Sequence, residues 1–182
     1  MSRRSLPGPA RLVVSAIYRD GTALDAAIPR VTELLGGVRF AGTVFPFDAT
    51  EYYADEMGAP LFRRFLAAAA PVSRDALPEV KIGLERIERE LSVGGRRTVN
   101  LDPGMVTPEN FILATGKNFT HRVYLRDGVF ADLTLVFRKG EYRALPWTYP
   151  DYATEEIRSL LEEVRSELLA AAAAERARTC PG

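Results

Sequence analysis

The spacing of apolar residues changes several times along the chain, and each change marks an element. Residues 11–18, RLVVSAIY, form a compact run rich in valine and isoleucine, closed by Asp20-Gly21. This predicts a buried strand. Leu24, Ile28, Val31 and Leu35 then recur at helical spacing before Gly36-Gly37, with Thr22 as the expected N-cap and Asp25 three positions on. Pro29 removes a ladder donor inside that helix and predicts a kink or a later start. VRFAGTVFPF at 38–47 reads as a second strand, giving a β-α-β opening. Pro60 suits the first turn of a helix over LFRRFLAAAA, which Pro71 would stop. In 77–92, Val80, Leu84, Ile87 and Leu91 make an apolar stripe that would turn Lys81, Glu85, Glu88 and Arg89 to other faces. After Gly94-Gly95 the pattern is strand-like through RTVNL, NFILATG, HRVYLR and VFADLTLVFR, and weaker in EYRAL. Thr154 then caps a long amphipathic helix with Ile157, Leu160, Leu161, Val164 and Leu168 on one side, and the alanine run after Leu169 continues it.

Asp127-Gly128 between two β-rich runs is the signal for a two-residue hairpin, because both central residues must accept positive φ. Counting outward pairs Arg126 with Val129, Leu125 with Phe130, Tyr124 with Ala131, Val123 with Asp132, Arg122 with Leu133 and His121 with Thr134. His121 and Asp132 then share a face, within side-chain reach, and Arg122 lies on the other. The elements together predict a single α+β domain: a mixed or mainly antiparallel sheet with a β-α-β opening and a C-terminal β-meander, covered by helices. Its core spans 11–175, with flexible tails at 1–10 and 176–182.

Composition narrows the function classes. The chain has 182 residues, 47% hydrophobic and 26% charged, which is enough for one substantial core. Lys plus Arg and Asp plus Glu are both 24, so no net field favours nucleic acid or an anionic membrane. The opening MSRRSLPGPA lacks an apolar run and predicts neither signal peptide nor membrane anchor. A single cysteine, Cys180, provides no intrachain disulfide and suits a reducing cytoplasm. With one histidine and one cysteine a conventional zinc site is not expected. Nothing in the pattern sets an oligomeric state.

Several stretches taken together, TEYYADEMG, NLDPG, ATGKNFTHRVYL, ADLTL and WTYPDY, resemble a bacterial domain-of-unknown-function family, number four-four-one-six. The similarity runs from about Leu12 into the final helix. The chain departs from the family pattern at Met105, where a tyrosine is frequent, and at Asp132, where glutamate is common. The resemblance implies no established reaction. GTP binding, a label carried by some members, lacks its usual chemistry here: there is no GxxxxGK[ST] loop and no GxGxxG after the first strand.

Candidate chemistry gathers in the same stretches. A carboxylate beside a histidine favours the imidazolium and orients the ring, so His121 with Asp132 is a candidate acid–base pair. The alternative is a surface contact on a solvated sheet face. Asp-Pro-Gly in NLDPG is a turn by chemistry, with Asn100 and Asp102 alternating onto one face at a strand end where ligands are often held. Trp147 and Tyr149 either plug a core edge or wall a pocket beside Asp151. Tyr52, Tyr53 and Glu56 crowd one short connection, and Lys81, Lys117, Arg63 and Arg122 are the cations that would meet an anion. Magnesium remains possible, through Asp102, Asp132, Asp151 or Glu56. The expected function is an enzyme acting on a small anionic or phosphorylated metabolite or nucleotide. His121 would serve as acid or base, Asp132 as its orienter, Asp102 as a second carboxylate, and Lys117 and Arg122 as charge stabilisers. A non-catalytic ligand-binding or regulatory module and an assembly protein using exposed aromatics are the alternatives.

Overall fold

The computed structural model describes residues 3–48 and 53–179, so Tyr52 and Cys180 lie outside the described residues. The chain runs β1 (Arg11–Tyr18), α1 (Gly21–Leu35), β2 (Val38–Phe47), α2 (Ala54–Met57), β3 (Leu61–Ala68), α3 (Leu77–Leu91), β4 (Val99–Val106), β5 (Asn110–Thr115), β6 (Arg122–Arg126), β7 (Val129–Arg138), β8 (Glu141–Ala144) and α4 (Glu155–Thr179). All eight strands join one antiparallel sheet in the order β2-β3-β1-β4-β5-β7-β6, with β8 also on β7. The fold is α+β. The β-α-β opening is split, because β3 inserts between β1 and β2. β7 pairs with β5 along one edge, so β6 and β8 share the other, end to end.

Alternation along β1 divides the core. Leu12, Val14, Ala16 and Tyr18 pack with α1 and α3, while Val13 on the opposite face packs with α4. On α4 the buried residues are Ile157, Leu160, Leu161, Val164 and Leu168, and Thr154 Oγ1 accepts the Ile157 N–H at 3.4 Å as an N-cap. The helix runs to Thr179, and Ala10 is buried and bonded to Val72.

Several expectations are corrected. LFRRFLAAAA is not a helix: Leu61–Ala68 is a strand, buried between β1 and β2. Alanine favours helix only weakly, and the need to fill a central sheet position overrides it. Asp20, not Thr22, caps α1, accepting the Thr22 N–H at 3.0 Å, and the helix continues through Pro29. Gly36 ends it in the left-handed conformation, as its position predicts. Lys81 and Glu88 on α3 do not turn away; each is only 7% exposed and faces the sheet.

NLDPG is not a turn either. Asp102, Pro103 and Gly104 lie inside β4, opposite Ser15, Val14 and Val13. Leu101 gives its N–H to Glu88 rather than to β1, so the nitrogens of Leu101, Pro103 and Met105 point toward β5. Pairing with β5 stops at Gly104 opposite Leu113, because the next nitrogen belongs to proline and carries no hydrogen. Beyond that point β4 and β5 separate. The glycine answers to packing: a Cβ there would sit 2.3 Å from Phe111 Cζ.

Candidate functional site

A cleft of about 650 Å³ opens where β4 and β5 part. It is lined from both layers: Lys81 and Glu85 come from α3, while Tyr149, Asp151 and Tyr152 come from the segment leading to α4. Among the described lining residues the cations are Arg63, Lys81, Arg97 and Lys117, and the carboxylates are Glu85, Asp102, Asp132 and Asp151. Asn100 and Tyr53 line it as well.

The floor is the first half of β4. Asp102 accepts from Lys81 Nζ at 3.1 Å and from Asn100 Nδ2 at 2.7 Å, and Arg97 donates to Asn100 Oδ1 at 2.6 Å. Arg97 also grips both oxygens of Glu56, donating from Nε to Oε1 at 3.1 Å and from Nη2 to Oε2 at 2.6 Å, tying α2 to β4. That contact holds the Glu56 carboxyl below its ordinary range. Behind the floor, Glu88 fills the bonding role that β5 has left by accepting the Leu101 N–H. Burial pushes its carboxyl up to about 7 despite that N–H and Lys81. For Lys81, burial alone would favour the neutral amine, but Asp102, Glu88 and Glu85 outweigh it and raise the lysine above its ordinary value.

On the α4 side, Arg63 pairs with Asp151. Its guanidinium lies 4.5 Å from the Phe47 ring centre and 5.0 Å from that of Tyr152. Tyr152 is buried against Phe111, their rings stacked at 5.6 Å, and burial lifts its hydroxyl to about 12.

The hairpin shows how one residue re-aims a site. Asp127 and Gly128 have φ of 54° and 79°, as a primed two-residue turn requires, and Arg126 faces Val129. Next, however, Tyr124 faces Phe130, because Leu125 is an extra residue in the ladder. The bulge shifts every later pair by one and sets Arg122 opposite Asp132. Arg122 therefore lies on the Asp132 face, contrary to the simple count. Its Nε donates to Asp132 at 2.9 Å, Nη1 to the Lys117 carbonyl at 3.0 Å, and Nη2 to Tyr149 Oη at 2.8 Å.

His121 lies just before β6, with Nε2 at 3.2 Å from Asp132 Oδ2 and its ring stacked on Trp147 at 4.9 Å. It is not among the cleft-lining residues, and neither are Arg122, Trp147 and Glu56. Trp147 and Thr148 instead close a gap in the sheet edge. Between β6 and β8 the edge of β7 is bare, and Trp147 Nε1 and Thr148 Oγ1 donate to the carbonyls of Leu133 and Thr134 there.

Of the residues singled out from sequence, Tyr53, Lys81, Asn100, Asp102, Lys117, Asp132, Tyr149 and Asp151 line the cleft, and so does Arg63. Arg97, Glu88 and Tyr152 were missed. Glu88 stands seven residues after Lys81, on the same helix flank, and that spacing was a usable signal. For magnesium, Asp102, Asp132, Asp151 and Glu56 each already face a cation. Among the described residues no three His, Cys, Asp or Glu side chains are grouped to hold a metal. Nor is any described helix long and apolar enough to cross a membrane.

The fold and cleft define a single α+β domain with a polar, charge-lined ligand-sized cavity at a sheet discontinuity. The chain belongs to the family described as Domain of unknown function (DUF4416), whose model matches residues 8–168. No curated protein and no solved structure matches it.

Proposed function

We propose that this protein binds a small anionic metabolite, carboxylated or phosphorylated, in the cleft between β4 and β5. The observation that carries this reading is the convergence of two buried cations, Arg63 and Lys81, with Arg97 and Lys117 on one cavity of ligand size. Buried cations beside a cavity are poorly hydrated and gain from an incoming anion. A binding role is preferred to His121 catalysis because His121 stands outside the lining, engaged with Asp132 and Trp147. A catalytic reading would instead run through Asp102, which Lys81 and Asn100 hold in place at the cavity. A cytoplasmic setting belongs to the same proposal, supported by the lone cysteine.

The test is a thermal-shift screen of carboxylated and phosphorylated metabolites, with and without Mg²⁺, followed by titration of each hit. A ligand selective for the folded state raises its stability by mass action. Lys81→Met keeps the apolar stem and should abolish the shift. A hit that binds Lys81→Met as tightly as the parent protein sinks the proposal.

A further inference from the structure

We infer that the ligand is a zwitterion of the amino-acid type, seated with its carboxylate on Lys81 and its ammonium on Asp102. This rests on reading the cleft as an anion site and goes further by naming the ligand's second charge. Charge balance favours it. The four lining cations are matched by four lining carboxylates, and Lys81 and Arg63 each already hold an acidic partner across the cavity wall. A simple anion approaching Lys81 would meet Asp102 and Glu85 at the same place, 3.1 and 3.5 Å from the ammonium. Repulsion would cancel much of the attraction.

A molecule carrying both charges avoids that conflict. Laid antiparallel on the Lys81–Asp102 pair, an α-amino acid brings its carboxylate to the ammonium and its own ammonium to the carboxylate. Both protein groups have capacity left. Lysine has three donors and a carboxylate about four acceptor sites, while Asp102 receives hydrogen bonds here only from Lys81 and Asn100 among the described residues. Asp102 is also open to the cavity, its side chain 31% exposed.

The neighbouring surface suggests the ligand's side chain. Arg63, Ile17 and Asn100 sit in one row across β3, β1 and β4. Adjacent strands are about 4.8 Å apart, so Arg63 stands roughly 10 Å from Asn100. Between Arg63 and Asn100 the wall is Ile17, with Phe47 and Tyr152 beside Arg63. An apolar or aromatic side chain fits that stretch.

The experiment is calorimetric titration of the full chain with matched pairs: L-leucine against 4-methylpentanoate, and L-phenylalanine against 3-phenylpropionate, with inorganic phosphate as a simple anion. The expected result is that at least one amino acid binds ten-fold or more tightly than its amine-free partner. Asp102→Asn should erase that preference. Amine-free acids or phosphate binding the parent as tightly as the amino acids do, or amino acids binding Asp102→Asn as tightly as the parent, would overturn this inference while leaving the anion reading intact. Binding by none of the probes would overturn both. If Asp102→Asn does not fold, Glu85→Gln removes the neighbouring negative charge from a side chain that is 44% exposed: the amino acid should weaken a few-fold relative to its amine-free partner, and an unchanged preference for the amino acid would refute the zwitterion.

Discussion

Gly104→Ala is the sharpest probe of why β4 has its sequence. A Cβ at this position would meet Phe111 Cζ at 2.3 Å, Cε2 at 2.4 Å and Leu113 Cδ2 at 3.3 Å. The first two contacts are far inside van der Waals distance, and the ring cannot simply swing away, since Phe111 is buried and stacked on Tyr152. Overpacking of this kind typically costs about 1–3 kcal/mol. Replacing glycine in a strand returns about 0.5–1 kcal/mol of conformational entropy, so at mid-range the net loss should be about 1 kcal/mol. For a domain of this length each kcal/mol shifts the melting temperature by about 2–4 °C, which predicts a fall of that size. Urea unfolding of Gly104→Ala, Phe111→Leu and the double variant separates causes. If the clash is the cause, the double variant should be more stable than the sum of the singles by about 1 kcal/mol. A neutral Gly104→Ala, or strict additivity with Phe111→Leu, would refute the steric account and reopen the turn reading of NLDPG.

Arg122→Met should leave the Asp132 carboxylate, 2% exposed, with only His121 and Thr134 as side-chain partners among the described residues. Removing one member of a buried ion pair typically costs about 3–5 kcal/mol, measurable by urea unfolding, and a loss below about 1 kcal/mol would show that the pair is not structural. Glu88 titrates in the folded protein at about 7, above an ordinary carboxyl. Between those values the folded state holds the extra proton, so this group's contribution is fully present at low pH and is lost as pH rises through about 7. Glu88→Gln should therefore flatten the decline in stability between about pH 5 and 7, and an unchanged pH slope in chemical denaturation would contradict the buried placement.

Features governed by neighbours in sequence were legible in it. The ends of β1, β2 and β7, the stop at Gly36, the Thr154 cap and the Asp127-Gly128 turn all appear where the local pattern puts them. Each depends on a few consecutive residues: a run of β-branched side chains, a residue that accepts positive φ, a side-chain oxygen three positions ahead of an orphan N–H. Much of the cleft was legible as a set of residues too, because clustered polar and aromatic side chains in short connections stand out against a core pattern.

What the tertiary structure decided was which partners those residues meet. Leu61–Ala68 reads as helix by propensity, yet it is the strand between β1 and β2, because the sheet offers it two ladders and two buried faces. Asp-Pro-Gly reads as a turn until β1 pairs with it, and then proline ends the ladder to β5 while glycine makes room for Phe111. The bulge at Leu125 is invisible in a count from the turn, yet it moves Arg122 onto Asp132. A strand's side-chain period is two, so one extra residue reverses every face assignment beyond it. Local chemistry set the turns and the periods, whereas long-range pairing set the register, and register determined which charges share the cleft.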